Sequence, residues 1–391
     1  MRITPAERRE LLGHRHLLAP GDRAGLVEDV AETLVGLHAT DAASVVLSAR
    51  ARVREPSPAD VDRALYEDRT LLRMHCMRRT LFVVPTDLVP VFHHSTSEAI
   101  AKRERAVLLK HLAATGPARN ERWLNAAETA ALAALTRLGE AGAVELTAEV
   151  PALQETIVLS PGKPYQATQR VGGWVLRLLA MEGRIRRGRP LGGWTSNQFR
   201  YSVAPEMPPM DPAEARAELV RRWLACYGPG TAEDIAWWTG WPNGQVREAL
   251  GRIGPVEVEL AEGTGLVLAG DRLGEELAAA GGSKQPWIAF LPGLDPATMG
   301  WKHRDWYVDP AHRKLLYDSA GNGGPTVWWN GEIVGAWAQR ADGEIAWRLL
   351  TDRGAEARAA VEAEAAALQD WLAHYRMTTR FPAPLTKELT A

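Results

Sequence analysis

Three times along these 391 residues a helical run gives way to a short ribbon rich in β-branched and apolar residues, basic in the first two cases, and no ribbon is long enough to seed a large sheet. The ribbons are TLLRMHCMRRTLFVVP (70–85), GRIRRGRPLGGWTSNQFRYSV (183–203) and VEVELAEGTGLVLAG (256–270). A chain punctuated in this way folds as several small helical units. Its length agrees, since roughly 100–200 residues per domain predicts two to four of them.

Each ribbon follows helical signals. Apolar residues at helical spacing, such as Leu26, Val27, Val30, Leu34 and Leu37, predict helices over 3–18 and 24–37. Another runs from Ala42 to Arg52, and Ser57 or Pro58 opens a short one by the usual N-terminal chemistry. The second ribbon is preceded by helices over 122–149 and a recognition-like helix over 168–182, with SPGKP (160–164) as a linker inside the unit. The third follows a helix over 211–227, a capping arrangement Thr231-x-x-Asp234, and a helix in PNGQVREALGRIG. Helix, short helix and basic two-stranded ribbon is the grammar of a winged helix.

Residues 283–391 differ. WIAFLPGLDPATMGWKHRDWYVDP reads as loop-rich, and GPTVWWNGEIVGAWAQRADGEIAWRLL as three antiparallel strands turning at Asn330-Gly331 and Asp342-Gly343. A long helix over 354–375 follows. The fold class is therefore mainly α with small β wings (α+β): winged-helix units at 1–118, 119–210 and 211–282, then a C-terminal α+β segment at 283–391.

The net charge of −2 excludes a chain that coats nucleic acid through bulk charge, but the charge is segregated. Seven arginines (Arg170, Arg177, Arg184, Arg186, Arg187, Arg189 and Arg200) face a single acid, Glu182, between residues 170 and 200. A smaller basic run holds Arg69, Arg73, Arg78 and Arg79. On a glycine-bent ribbon such arginines reach phosphates, so Arg79, Arg177, Arg184, Arg186, Arg187, Arg189 and Arg200 are candidate DNA contacts. Trp194, Asn197 and Gln198 at the ribbon tip approach the duplex, or Trp194 and Phe199 pack beneath the wing. Most of the fifteen tryptophans are expected in cores. Two distant cysteines, Cys76 and Cys226, without CxxC spacing predict neither a disulfide framework nor a zinc site. MRITPAERRE has no hydrophobic signal core and no run reaches about 18 apolar residues, so a cytoplasmic location is expected.

GLHATD (36–41) interrupts the apolar helical pattern. If the backbone is extended, His38 and Thr40 point to one side; if it is helical, His38 and Asp41 share a face. One reading is a helix stop, with Thr40 or Asp41 capping the next helix. The other is an acid/base cluster in which Asp41 fixes the His38 imidazole and His38 accepts a proton from water. GNGG (321–324) precedes a strand, so it is no phosphate cradle.

LVGLHATDAASVVLSARARV, MRRTLFVVP, WVLRLLAMEGRIRRGRPLGGWTSNQFRYS, YGPGTAEDIAWWTGW and GNGGPTVWWNGEIVGAW, in this order over nearly the whole chain, resemble the winged-helix family of AlkZ-type alkylpurine DNA glycosylases. The resemblance implies a C-shaped arrangement around double-stranded DNA, excision of bulky N7-alkylated purines, crosslink unhooking, and a role in repair or in self-resistance to a genotoxin. No metal or organic cofactor is implied, and, with no heptad repeat of useful length and a solitary acidic last helix, a monomer associated with the nucleoid is expected. Where that family has a glutamine, an apolar residue and then glutamine or aspartate, this chain has His38-Ala39-Thr40, with Asp41 one place later. His38, Thr40 and Asp41 are the candidate catalytic residues. The alternative is a non-catalytic winged-helix DNA-binding regulator or lesion sensor.

Overall fold

The computed structural model describes all residues except 117, 161, 165, 283 and 284. Local chemistry starts the helices. Thr4 caps Pro5–Arg15 in a reciprocal box with Glu7, Asn120 accepts the Trp123 amide at the head of Glu121–Leu138, and Asp211 accepts two amides to open Pro212–Tyr227. The box expected from Thr231-x-x-Asp234 opens Ala232–Thr239. Asn243–Ile253 follows and stops at Gly254.

All three ribbons are antiparallel. Leu71–His75 pairs with Leu81–Pro85, and Leu37–His38 adds to the free edge of the latter. Ile185–Pro190 pairs with Phe199–Val203, whose other edge takes Ala141–Gly142. Val256–Leu260 pairs with Gly263–Val267. The result is a mainly helical chain with small antiparallel sheets.

Two readings of the sequence need correction. The stretch assigned to one helix over 168–182 begins as a strand, Ala167–Arg170, paired with Thr156–Leu159, and the helix is only Gly172–Met181. The strand is exposed and polar, so it lacks the apolar alternation that would betray it. In the C-terminal segment the three expected strands, Thr326–Trp329, Glu332–Gln339 and Ile345–Leu349, are joined by a fourth, Ile288–Leu291, in a region read as loop. Four apolar residues are too few to separate strand from buried loop by period alone. Gly354–Leu372 covers this sheet, packing Val361, Leu368 and Leu372 against Phe290, Val334 and Trp337.

The largest core joins residues far apart in the chain. Val30, Leu34, Val45 and Val83 from the first hundred residues pack with Leu219, Trp223 and Ile235 and with Leu291, Trp301, Tyr307 and Trp328. Within it Trp223 stacks on Tyr227 and Tyr307 on Trp328. A second core runs from Ile100 through Leu124, Leu146 and Leu176 to Ile185, and the basic ribbon Ile185–Val203 projects from it toward the first ribbon. No helix among the described residues is long and apolar enough to cross a membrane.

Candidate functional site

GLHATD is extended. The helix Val27–Thr33 ends, Val35 and Gly36 turn with φ of 53° and 90°, and Leu37–His38 joins the sheet opposite Val83 and Phe82. At Gly36 a Cβ would stand 3.0 Å from Val84 Cγ1, so both the turn and the packing require glycine. His38 is buried with its ring 5.0 Å from that of Phe82. Burial, helped by the charge of Arg78, lowers its pKa to about 3, so the ring is neutral.

Asp41 begins the helix Ala42–Arg50: its Oδ1 accepts the Ala43 amide at 3.2 Å and its Oδ2 accepts the Arg380 amide at 3.1 Å. The Arg380 guanidinium donates to the Thr40 carbonyl at 3.1 Å, and Thr40 Oγ1 accepts the Leu81 amide at 3.2 Å. The capping alternative is therefore what the geometry shows for Asp41. No hydrogen bond joins His38 to Asp41 among the described residues; the Nδ1 of His38 instead lies 3.5 Å from the Thr40 amide. Each carboxylate oxygen of Asp41 keeps a lone pair beyond its one amide partner. Beside it opens a cleft of about 20 Å³, room for roughly one water, lined also by Ser44, Gly293, Gln339 and Thr379.

Two arginines without a carboxylate partner among the described residues stand near this motif, Arg73 buried and Arg187 half-buried. Arg73 lies 4.5 Å over the Phe199 ring, with Nε and Nη1 unpartnered. Arg187 lies 5.7 Å from the same ring and 5.8 Å from Tyr201, again with Nε and Nη1 unpartnered. Burial lowers the pKa of both; Arg187 and Arg73 repel each other, and Asp41 partly offsets the cost at Arg73. Unsatisfied guanidinium N–H groups on aromatic faces are donors waiting for an acceptor. Both arginines also line a cavity of about 410 Å³ between the first and second ribbons, together with Tyr66, Arg69, Arg186 and Arg189.

The other candidate contacts are differently placed. Arg184 pairs with Glu128 and Glu182, Arg189 with Asp62 and Glu67, Arg200 with Glu140 and Glu145, and Arg79 with Glu104. Arg186 donates to Ser202 Oγ, and Arg177 lies over Trp174. Acids from other segments thus offset much of the arginine-rich stretch. Asn197 and Gln198 are exposed at the ribbon tip, whereas Trp194 packs on Trp371 and Tyr375. Arg73 was visible only as a member of a basic run, and Arg380 carried no local signal at all.

A mainly helical chain with basic antiparallel ribbons, converging on an extended polar motif with a held carboxylate, has the anatomy of a nucleic-acid-processing protein. The chain belongs to the AlkZ-like DNA glycosylase family, whose model matches residues 31–371. It is similar to an interstrand DNA cross-link repair glycosylase of Streptomyces sahachiroi, at 26% identity over 366 residues covering 86% of this chain and 88% of that one. The solved structure of Streptomyces sahachiroi DNA glycosylase AlkZ shares the fold, with a TM-score of 0.72 at 22% identity over 97% of this chain and 100% of that one.

Proposed function

We propose that this chain is a monofunctional DNA glycosylase that hydrolyses the N-glycosidic bond of bulky N7-alkylated purines, gripping duplex DNA with tandem winged-helix units. The observation that carries the reading is Asp41: a carboxylate held by two backbone amides, beside a cleft the size of one water and close to the unpaired Arg73.

An N7-alkylated purine is already cationic. When the C1′–N9 bond breaks, its electron pair neutralises the purine and leaves positive charge on the sugar, so catalysis needs mainly a fixed anion and a placed water. Asp41 supplies the anion and takes the proton of the water whose oxygen bonds to C1′. His38, neutral and buried with its ring against Phe82, packs beside the motif and makes no hydrogen bond to Asp41 among the described residues. Thr40, tied to the Leu81 amide, holds the motif to the first ribbon. Arg187 and Arg73 meet a phosphate, while Asn197 and Gln198 reach the groove. The protein works as a monomer, in repair or in protection from a genotoxin.

The test is Asp41→Asn. Asparagine keeps the cap on the Ala43 amide while losing the charge and the acceptor for the Arg380 amide, so folding by circular dichroism and duplex binding are measured beside excision. On a duplex carrying one N7-methylguanine, with abasic sites opened by alkali, excision should fall at least about 100-fold. Undiminished excision by the variant removes Asp41 from the mechanism. A wild-type protein that binds several adducts, including a crosslinked duplex, and excises none is instead a lesion sensor or regulator.

A further inference from the structure

Where the short helix Val89–Phe92 runs into the long helix Glu98–Thr115, the chain passes through one wide turn, His93–Ser97, closed by the Glu98 amide donating to the His93 carbonyl five residues back. In an ordinary helix residues five apart point about 140° away from each other. The wide turn sets His93 and Glu98 one above the other instead, with His94 alongside. The ligand atoms of all three lie within 4.8 Å of one another.

Hydrogen-bond accounting, among the described residues, sets lone pairs against one another here. His94 Nε2 lies 3.0 Å from the Pro208 carbonyl, which can only accept, so Nε2 carries a hydrogen. The other ring nitrogen, Nδ1, faces Glu98 Oε2 at 3.2 Å, lone pair to carboxylate unless a proton or a cation lies between. A second proton on His94 would settle that contact alone. It would leave His93, only 6% exposed, with an Nδ1 that has no partner. A metal ion satisfies all three atoms at once, and a ring N–H given to a backbone carbonyl is the usual support of a metal-bound histidine.

We propose that His93, His94 and Glu98 bind one divalent transition-metal ion, with zinc as the first probe, which clamps the wide turn to the 204–212 segment through Pro208. Two imidazoles and a carboxylate are a donor set for zinc rather than for magnesium or calcium. Lys102 occupies the other oxygen of Glu98 at 2.8 Å from an exposed position and does not block Oε2. Neither cysteine competes, since both are buried. The site is independent of the Asp41 chemistry.

The experiment uses tag-free full-length protein, stripped with EDTA and dialysed against zinc chloride, with bound zinc measured by elemental analysis and thermal unfolding followed in parallel. The wild type should take up one equivalent and unfold at a higher temperature with zinc than without. Glu98→Gln and His94→Gln, shown to be folded by circular dichroism in EDTA, should each lose both effects. No stoichiometric uptake by the wild type, or uptake unchanged in both variants, overturns the site and leaves His94 and Glu98 as a metal-free contact pair.

Discussion

Arg52 and Asp295, 243 residues apart in the chain, form a two-pronged ion pair with bonds of 2.9 and 2.7 Å, and neither side chain has any exposed surface. The surrounding atoms complete it. Ser48 Oγ donates to Asp295 at 2.7 Å, the Ala297 amide donates at 2.9 Å, and Arg52 Nε donates to the His16 carbonyl at 2.9 Å. The pair locks the helix that follows Asp41 to the loop that carries Gly293, and so fixes two walls of the Asp41 cleft.

Removing one partner strands the other. Arg52→Ala leaves the Asp295 carboxylate buried and unpaired, at an expected cost of about 3–5 kcal/mol in unfolding free energy. Guanidinium unfolding followed by tryptophan fluorescence reads it directly. A loss under about 1 kcal/mol means that the site opens to water when the arginine goes.

Asp234 is the corresponding link for the third ribbon's helices. Its Oδ2 accepts the backbone amide and the hydroxyl of Thr231, both at 2.9 Å, while its Oδ1 accepts the Lys302 and His303 amides at 2.8 and 3.0 Å. Thr231→Ala removes the cap on the Asp234 amide and the hydroxyl bond to the Asp234 carboxylate, and should cost about 1–2 kcal/mol. Asp234→Ala also strands two amides from a distant loop, and should cost about 3 kcal/mol or more. Equal losses in the two variants, measured by the same denaturation, would show that the loop amides find water instead.

These two links show where reading the sequence stops. The Thr231-x-x-Asp234 spacing was legible because a capping box is local chemistry, and the ribbon ends were legible from Pro85 and the glycines of LGGW. The extended course of GLHATD stayed open until the pairing of His38 with Phe82 decided it, since two polar residues in an apolar run fit either backbone. The partners of Asp41 lie near residues 293 and 380, so no window of sequence contains the site. Charge counting also misled, because the acids that neutralise Arg184, Arg189 and Arg200 come from elsewhere in the chain.

The buried histidines make stability depend on pH. Burial lowers the pKa of His38 and His75 to about 3 and that of His16 well below its ordinary value. As pH falls below about 6.5 the unfolded chain gains protons that the folded chain refuses, so each such histidine costs about 1.4 kcal/mol per pH unit on the way down to its folded pKa. Their stabilisation is complete above about pH 6.5 and declines below it. His75→Gln should therefore flatten the decline between about pH 6.5 and 5 by one proton's worth, whatever it does to absolute stability. The window stops there because carboxylates of the ion pairs begin to titrate below it. An unchanged slope would mean that the imidazole is solvated in the folded state.

Arg187 and Arg184 stand three residues apart on one ribbon and should behave oppositely toward DNA. Arg184 already serves Glu128 and Glu182, whereas Arg187 offers unpartnered N–H groups beside Phe199 and Tyr201. A phosphate neutralised by Arg187 releases about one counterion, so Arg187→Gln should weaken duplex binding and make the slope of log affinity against log salt shallower by about 0.9. Arg184→Gln should leave that slope unchanged, and any loss it shows should appear as stability, through the acids it abandons. Fluorescence anisotropy on one labelled duplex across a salt series distinguishes the two. If Arg184→Gln moves the slope and Arg187→Gln does not, DNA draws Arg184 away from its acids and the Arg73 and Arg187 pair at Phe199 is a packing element instead of a phosphate site.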